Sequence, residues 1–398
     1  NDGLESMPDG EFLPPFELNC AESHLKETIQ KKFGRHLVHA RWAHLTEPKE
    51  IHLQQGRGKC QARNLCMRGC PFGAYFSSVS STLPWAHKTG NLTMLTDSIA
   101  SSIMYDPINK KATGVKVIDA TSKKEYVYHA SIIFVNASAL NTNLILLNST
   151  SESFPNGLGN DAGVLGKYIC HHNYRAGVGG TIDGFEDFYV YGRNPTDSIL
   201  VNYRNLGKQD TDFVGGYTTF MGAYRKRFDS SMTTETIGAS FKEAMQEPGK
   251  WQVYAYMQGE TIPKKSNHVR LSTQKDSFGL PQLITHVEYD ENDDKMTKDF
   301  IEQTTAMFAA AGVYDISSYD NHQAPGLDIH EMGGCRMGTD PGSSILNGFN
   351  QMHHCKNVFV TDGACMTSTG NQSPSILYMA LTARAVNYAV QQYKENKL

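Results

Sequence analysis

A C-terminal stretch carries the clearest chemistry in this sequence. It reads His330-Glu-Met-Gly-Gly-Cys-Arg-Met-Gly338, then a strand-like segment at 357–363, then a helix that begins near Ser373-Pro374. Histidine is the side chain whose ordinary pKa best suits proton transfer near neutral pH. Ser is a good N-cap, Pro suits the first helical position, and a helix start attracts anions such as a pyrophosphate or a reduced flavin. The stretch predicts an anion site at a helix start, although a capped helix without a ligand explains the helix spacing equally well.

Three of the eight cysteines lie close together, as Cys60-x5-Cys66-x3-Cys70, and a Pro follows the last of them. This spacing fits the paired ligands of zinc sites poorly. Two interpretations remain open. The cysteines are free thiols, or they are ligands of an iron–sulfur cluster, since thiolates hold such clusters and a Pro recurs after the last Cys of ferredoxin motifs. We prefer the cluster.

The composition is that of an ordinary globular protein. The chain has 398 residues, of which 39% are hydrophobic and 20% charged, and this excludes a disordered or fibrous protein. The net charge of -4 predicts no broad basic surface, so no nucleic-acid partner is expected. The longest apolar runs, 132–135 and 144–147, are far shorter than the ~20 residues of a membrane span, so no transmembrane segment is expected.

Hydrophobic periodicity predicts a mixed α/β fold with a mainly antiparallel second domain. The predicted elements are a helix over 21–33, a meander over 92–135 ending in a buried strand at 131–135, helices over 141–148, 234–245 and 293–311, a strand over 357–360 and a helix over 374–393. The predicted organisation is an irregular N-terminal segment with one helix (1–55), a cofactor domain assembled from 56–170 and 326–398, and a substrate domain (171–325).

The motifs described so far resemble those of one enzyme family. Residues 330–338, 357–363 and 373–384 resemble the C-terminal signature of glucose-methanol-choline (GMC) flavoprotein oxidoreductases. Gly69-Cys-Pro-Phe-Gly-Ala74 and the segment 83–92 resemble that family's middle flavin-domain segment. Within the family, the sequence most resembles bacterial glucoside 3-dehydrogenase catalytic subunits.

The resemblance implies FAD-dependent oxidation of an alcohol. The family's base lies at the His of this motif, here His330, which takes the hydroxyl proton while hydride leaves carbon for the flavin. The second member of the family's catalytic pair is a His or Asn immediately before the final helix. An ungapped alignment places Ser373 there, and Asn371 is the alternative. The FAD-contacting residues that the resemblance implies are Ala100, Asn136, Asp362, Gly363, Ala364, Gln372, Pro374 and Ser375.

The family also binds the FAD diphosphate with an N-terminal strand–GxGxxG–helix unit. Gly157-Leu-Gly-Asn-Asp-Ala162 matches GxGxxA by letter but follows no predicted strand, so we reject it. The chain begins at Asn1 rather than Met. We therefore expect the natural polypeptide to have a further N-terminal βαβ segment of roughly 150 residues.

Aromatic and polar residues of the predicted substrate domain could line a sugar site, although core packing is the simpler interpretation of each alone. They are Phe188, Tyr189, Tyr191, Tyr217 and Tyr254, with Asn202 and Arg204. His171-His172-Asn173, at the entry to this domain, predicts a surface turn or hinge in preference to a metal site.

The resemblance to glucoside 3-dehydrogenases implies oxidation of a secondary hydroxyl of a sugar or glycoside, at C3. The resemblance implies that electrons pass through a [3Fe-4S] cluster at Cys60, Cys66 and Cys70 to a cytochrome or another acceptor. It also implies a small companion subunit and export to the periplasm. Two alternatives remain: an O2-using sugar oxidase of the same family, and a truncated, non-catalytic member that binds carbohydrate or a partner.

Overall fold

The computed structural model describes residues 10–186, 188, 197–225, 237–246, 248–326 and 330–398. The helices are α1 (Cys20–Phe33), α2 (Glu50–Gln54), α3 (Thr82–Lys88), α4 (Ala139–Asn148), α5 (Ala239–Ala244), α6 (Glu291–Ala310) and α7 (Ser375–Lys394). The strands are β1 (Leu37–His39), β2 (Ser98–Asp106), β3 (Lys111–Asp119), β4 (Glu125–His129), β5 (Ile133–Phe134), β6 (Lys167–Cys170), β7 (His172–Asn173), β8 (Ala176–Ile182), β9 (Ser198–Leu200), β10 (Tyr217–Arg225), β11 (Trp251–Glu260), β12 (His268–Lys275), β13 (Pro281–His286), β14 (Tyr314–Asp320), β15 (Met332–Gly334) and β16 (Val358–Phe359).

The largest sheet has seven strands in the order β1-β9-β10-β11-β8-β14, with β7 pairing on β11. Its longest ladder joins β10 to β11, from Tyr217↔Gly259 to Arg225↔Trp251. Alternate side chains of β11, such as Trp251 and Met257, are buried in one core with α1 and α6. The prediction of a mainly antiparallel sheet over 171–325 is confirmed.

The N-terminal segment joins this sheet. Helix α1 begins at a capping box, in which Asn19 Oδ1 accepts from the Glu22 amide and Glu22 Oε2 accepts from the Asn19 amide, both at 2.9 Å. The buried side chains of Leu25 and Ile29 pack into the core of the large sheet, and β1 pairs with β9. The predicted helix is confirmed, and the rest of the segment is less irregular than predicted.

The predicted meander consists of β2, β3 and β4 alone. Its predicted last strand, at 131–135, is a separate element: β5 pairs in parallel with β16, through Ile133↔Val358 and Phe134↔Phe359. Asn357 connects these two sheets, because its side chain accepts from the Ala112 amide and donates to the Ala112 carbonyl of β3, at 2.9 and 2.8 Å. The sequence pattern missed the break at Ala130 because the segments on both sides of it are typical of strands.

A four-stranded sheet, in the order β13-β12-β6-β15, completes the fold. It packs with α4 and β5 around a second core. No helix in the described ranges combines the length and the apolar character that a membrane span requires.

Candidate active site

His330 lies two residues before β15 and contacts a second histidine that the sequence did not indicate as functional. Its Nδ1 is 2.9 Å from Nδ1 of His172, and the two rings meet edge to face at 4.9 Å and 86°. His172 is fully buried and lies on β7, which pairs with the end of β11. The prediction of a surface turn at 171–173 is therefore wrong, since His171 is also buried.

Both histidines of this pair are neutral near pH 7. Burial lowers the pKa of His172 to about 3, with a further contribution from the adjacent His330. Burial also lowers the pKa of His330, although the charge of Glu331 opposes that shift. A neutral imidazole has one nitrogen lone pair, so His330 is in the protonation state that a proton acceptor requires.

Asn371 and Ser373, the two candidates for the second catalytic position, differ in their surroundings. Asn371 is 8% exposed, its Oδ1 accepts from Thr218 Oγ1 at 3.3 Å, and its carbonyl accepts from Gln258 Nε2 at 3.4 Å. Ser373 is exposed. The backbone of Thr369 and Gly370 acts to raise the pKa of His172 against the larger effect of burial, and Asn371 is the next residue along the chain.

The glycines of the motif allow the histidine loop to pack tightly. Gly333 and Gly334 have φ of 90° and 89°, a region that L side chains avoid. A Cβ on Gly334 would overlap the side chain of Asn143, which lies on α4 and donates to the Gly333 carbonyl at 3.1 Å. Cys335 then bonds through its amide to the Ala364 carbonyl at 3.0 Å. The loop that carries His330 is thus held against the segment after β16.

The predicted FAD-contacting residues lie in three places. Asn136 and Asp362 follow the parallel strands β5 and β16, where Asn136 Oδ1 accepts from the Thr361 amide at 2.9 Å and Asp362 accepts from Thr142 Oγ1 at 2.5 Å. The carboxyl ends of parallel strands are the usual edge for ligands. Gly363 and Ala364 are buried in a 3-10 turn after β16, and Ala100 is exposed on β2.

Gln372, Pro374 and Ser375 lead into α7. The helix begins at Ser375 with Pro374 as N-cap and no side-chain cap, so the predicted Ser373 cap is wrong. The predicted register was one residue early because Pro374 itself ends the preceding loop. The first turn has uncapped N–H groups, and Ile376, at 78% exposure, points outward.

These residues fit the flavin end of FAD. Free helix N–H groups suit the carbonyl and nitrogen acceptors of an isoalloxazine, and apolar side chains such as Ile376 suit its rings. The diphosphate end is different, because no strand–GxGxxG–helix unit occurs in the described part of the chain. The letter match at 157–162 lies in turns between α4 and β6, which supports its rejection.

The charges of Cys60 and Cys70 in the cysteine loop act on the thiol of Cys66. Burial raises the pKa of Cys66, as do the charges of Cys60 and Cys70, and Cys66 Sγ lies 3.6 Å from His44 Nε2. Burial also acts to raise the pKa of Cys70, but backbone hydrogen bonds and the charge of Arg63 outweigh it and lower that pKa. Within the described ranges, however, no three His, Cys, Asp or Glu side chains are gathered to hold a metal ion. The predicted cluster therefore has no preformed ligand set.

Most of the predicted sugar-contacting residues lie elsewhere. Tyr217 is buried on the α6 side of the large sheet, where its hydroxyl donates to Asp299 Oδ2 at 2.6 Å. Arg204 forms a two-pronged ion pair with Asp299, at 2.6 and 2.9 Å, and Asn202 bonds to the backbone of Arg204. These three residues are structural.

The remaining aromatic residues divide into three cases. Tyr254, in register with Gly222 on β10, lies on the opposite sheet face, which also carries Thr218 and Gln258. Phe188 is exposed. Tyr189 and Tyr191 lie outside the described residues.

Two family profiles, both described as GMC oxidoreductase, match residues 40–173 and 263–382, together more than half of the chain. Among curated proteins, the chain is similar to 2-methyl-1,2-propanediol dehydrogenase of Mycolicibacterium austroafricanum, with 30% identity over 72% of this chain and 52% of that protein. It is also similar to the fructose dehydrogenase large subunit of Gluconobacter japonicus, with 24% identity over 85% and 61%. Paromamine 6'-oxidase of Streptomyces fradiae is 25% identical over 84% and 59%. The chain thus spans about half to three fifths of these relatives.

Solved structures agree on the fold. A formate oxidase from Aspergillus oryzae superposes with a TM-score of 0.57 and 11% identity, over 81% of this chain and 64% of that one. Pyridoxine 4-oxidase from Mesorbium loti superposes with a TM-score of 0.51 and 16% identity, over 82% and 63%. The order of the motifs, the profiles and the fold lead to one conclusion: the chain belongs to the GMC oxidoreductase family.

Proposed function

We propose that the protein oxidises a secondary hydroxyl of a sugar or glycoside, at C3, with FAD as cofactor and His330 as the base. The observation that carries this proposal is the neutral, partly buried His330 held against His172. Asn371 bonds to Gln258, two residues along β11 from Glu260, the register partner of His172. A bound flavin would accept the hydride. His330 would take the hydroxyl proton, because it is neutral and its lone pair is available.

Asn371 is the better candidate for the second catalytic position. Its Oδ1 already accepts hydrogen bonds from Thr218 and Gln372, so the amide is held in one orientation. Its Nδ2 group is then free to donate to a substrate oxygen, where negative charge develops as the proton leaves. Ser373 is shorter and exposed, so we assign it no role in the reaction.

Isotopic substitution tests the proposed position of oxidation. Flavin reduction by a methyl glucoside that carries deuterium at C3 should be several-fold slower than by the unlabelled sugar, because the C3–H bond breaks in that step. The matched control is the same sugar labelled at C2, which should react at the unlabelled rate. An isotope effect at C2 alone would show that oxidation occurs at C2. A flavin that no sugar reduces would refute the proposal.

The identity of the electron acceptor distinguishes the proposed dehydrogenase from the main alternative. We favour a dehydrogenase over an O2-using oxidase, on the resemblance of the sequence to glucoside 3-dehydrogenases. The relatives include enzymes named as dehydrogenases and as oxidases, so they do not decide it. Stoichiometric peroxide release during sugar oxidation in air would favour the oxidase. Turnover that needs an artificial acceptor would favour the dehydrogenase.

The iron–sulfur cluster remains a prediction. It is supported by the resemblance and by the common loop in which the charges of Cys60, Cys66 and Cys70 interact. Anaerobically purified full-length protein should contain about three iron atoms, and Cys66→Ser should lose them. The matched control is Cys365→Ser, which changes a buried thiol in the core around α4 and β5. Iron-free wild-type protein would leave the three cysteines as free thiols.

We also propose a small companion subunit and a periplasmic location. A large subunit among the relatives supports the first, and the family resemblance alone supports the second. Purification of the tagged protein from its native host, with identification of any stoichiometric partner, tests the companion. Fractionation of the same cells tests the location.

A further inference from the structure

A layer of aromatic side chains lies on the face of the large sheet opposite α6. Its members are Phe220 on β10, Tyr254 and Tyr256 on β11, and Tyr319 on β14. We propose that this aromatic layer, with Asp197 beside it, binds the second ring of a glycoside that has at least two sugar rings. The inference rests on the proposed function, in which the first ring of the glycoside is oxidised next to the same sheet face.

Strand register places three of these rings in one row across the sheet. Tyr256 is in register with Phe220 on β10 and with Gly177 on β8. Gly177 is in turn in register with Tyr319 on β14. The rings of Phe220 and Tyr256 are parallel within 6°, with centroids 5.0 Å apart. Tyr254, two residues before Tyr256 on the same face, adds a parallel ring at a centroid distance of 6.5 Å.

Two glycines allow the tyrosines to lie along the sheet. A Cβ on Gly222, the register partner of Tyr254, would overlap the Tyr254 hydroxyl group. A Cβ on Gly177 would lie 2.6 Å from ring atoms of Tyr319. Each of these tyrosines therefore extends across the neighbouring strand, at a position where only a residue without a side chain leaves room. The layer remains accessible, because Tyr254 and Tyr256 are partly exposed and Tyr319 is 55% exposed.

Asp197 gives the aromatic layer a polar edge. The Tyr254 hydroxyl donates to Asp197 Oδ1, and the Tyr256 hydroxyl oxygen is 3.5 Å from Oδ2. The carboxylate thus fixes the direction of the Tyr254 hydroxyl, whose oxygen keeps lone pairs that can accept from a ligand hydroxyl. The layer combines apolar ring surfaces with a negatively charged edge that accepts hydrogen bonds.

This combination suits a neutral sugar ring. A pyranose has apolar C–H faces that pack on aromatic rings, and a rim of hydroxyl groups that bond to polar side chains. The charge of Asp197 disfavours phosphorylated and carboxylated ligands. A wholly apolar ligand is less suited, because it would desolvate the carboxylate without offering it a hydrogen bond.

The aromatic layer adjoins the proposed reaction site. Tyr256 is two residues from Gln258, whose side-chain amide donates to the Asn371 carbonyl at 3.4 Å. Residues two apart on one face of a strand are separated by about 6.5 Å. A glycoside ring beside Asn371 would therefore have its neighbouring ring over Tyr256. A disaccharide covers both positions, whereas a methyl glucoside covers only the first.

Calorimetric binding of one-ring and two-ring ligands tests the inference. The protein is full-length, flavin-loaded and carries His330→Asn, so that oxidation during the titration is slow. The one-ring ligands are methyl α- and β-glucoside, and the two-ring ligands are methyl maltoside and methyl cellobioside. We expect at least one two-ring ligand to bind about 10–100-fold more tightly than its one-ring counterpart, the range of one hydrogen bond to a charged group.

Two substitutions locate the second ring. Tyr254→Leu removes an aromatic ring, and Asp197→Asn removes the charge at similar size. Each should weaken binding of the preferred two-ring ligand about tenfold and leave one-ring binding unchanged. The matched control is Tyr203→Phe, which removes a hydroxyl that lies 2.9 Å from the Tyr217 hydroxyl oxygen. It should leave both affinities unchanged, and if Y254L does not fold, D197N still decides.

Binding and oxidation separate this inference from the proposed function. A protein that prefers two-ring ligands but whose wild-type flavin no sugar reduces would contradict the proposed function alone. A protein that oxidises methyl glucosides with no preference for two rings would contradict this inference alone. A preference retained in both Y254L and D197N would also overturn it. So would a companion protein whose binding is lost in Y254L, since the layer would then be a protein interface.

Discussion

The two faces of the β10–β11 ladder carry two polar groups that use their hydrogen-bond donors and acceptors differently. On the α6 face, Asp299 accepts hydrogen bonds from both Arg204 and Tyr217, at 2.6–2.9 Å. On the other face, Thr218 and Gln258 bond to Asn371 at 3.3 and 3.4 Å, and His172 is in register with Glu260, two residues further along β11. The first group uses its donors and acceptors internally. The second leaves a lone pair and an amide available, so only the second is suited to a ligand.

The residue types do not reveal this difference. Tyr217 and Thr218 are neighbours in sequence, yet they belong to different faces because side chains alternate along a strand. A shift of one residue in register would therefore exchange the α6 face, which carries Tyr217, for the face that carries Thr218. The following predictions test that division.

The largest effect is expected at His330. His330→Asn should keep its flavin but lose roughly 10²–10⁴-fold in turnover, because the amide cannot accept the proton. The measurement is steady-state oxidation of a glycoside, with flavin content as the control. Unchanged turnover would show that His330 takes no part in the mechanism. It would also remove the support for an active site on the face that carries Thr218 and Gln258.

Asn371 and Ser373 come next, as a direct comparison. Asn371→Ala should lower turnover about 10–150-fold, because a hydrogen bond to a developing charge is worth about 1.5–3 kcal/mol. Ser373→Ala should have turnover close to wild type, since Ser373 is exposed. A reversed order of these two effects would return the second catalytic position to Ser373.

A substitution on the α6 face should change the stability of the protein but not its turnover. Tyr217→Phe removes the hydroxyl that donates to Asp299 and should reduce the free energy of unfolding by about 1.5–3 kcal/mol. Urea denaturation of the flavin-loaded protein measures this loss. Turnover per folded molecule should not change. A variant with normal stability and impaired turnover would show that the α6 face takes part in the reaction.

The last prediction concerns acid stability. His172 has a pKa of about 3 when folded and an ordinary value of 6.5 when unfolded, so the unfolded chain binds the extra proton between these values. Stability should therefore fall as pH drops below about 6.5, by up to ~1.4 kcal/mol per pH unit for this group. His172→Asn should show a shallower dependence between pH 4 and 6. An unchanged slope would mean that His172 is not neutral.

Much of the fold was predictable from periodicity, whereas the site was predictable only in part. The apolar pattern predicted α1, α4, α6 and α7 to within a few residues, and motif order predicted His330. His172 was missed because nothing local distinguishes a buried histidine from one in a surface turn. It depends on β7 pairing with β11, a contact between distant segments. Tyr217 and Arg204 were misplaced because their partner, Asp299, is about ninety residues away in sequence.

The central claim is that His330 takes the proton while a bound flavin is reduced by a sugar hydroxyl. Anaerobic mixing of full-length wild-type protein and H330N with a glycoside, followed by the visible absorption of the flavin, tests it most directly. We predict rapid bleaching in the wild type and roughly 10²–10⁴-fold slower bleaching in H330N with equal flavin content. Equal bleaching rates in the two proteins would contradict the claim.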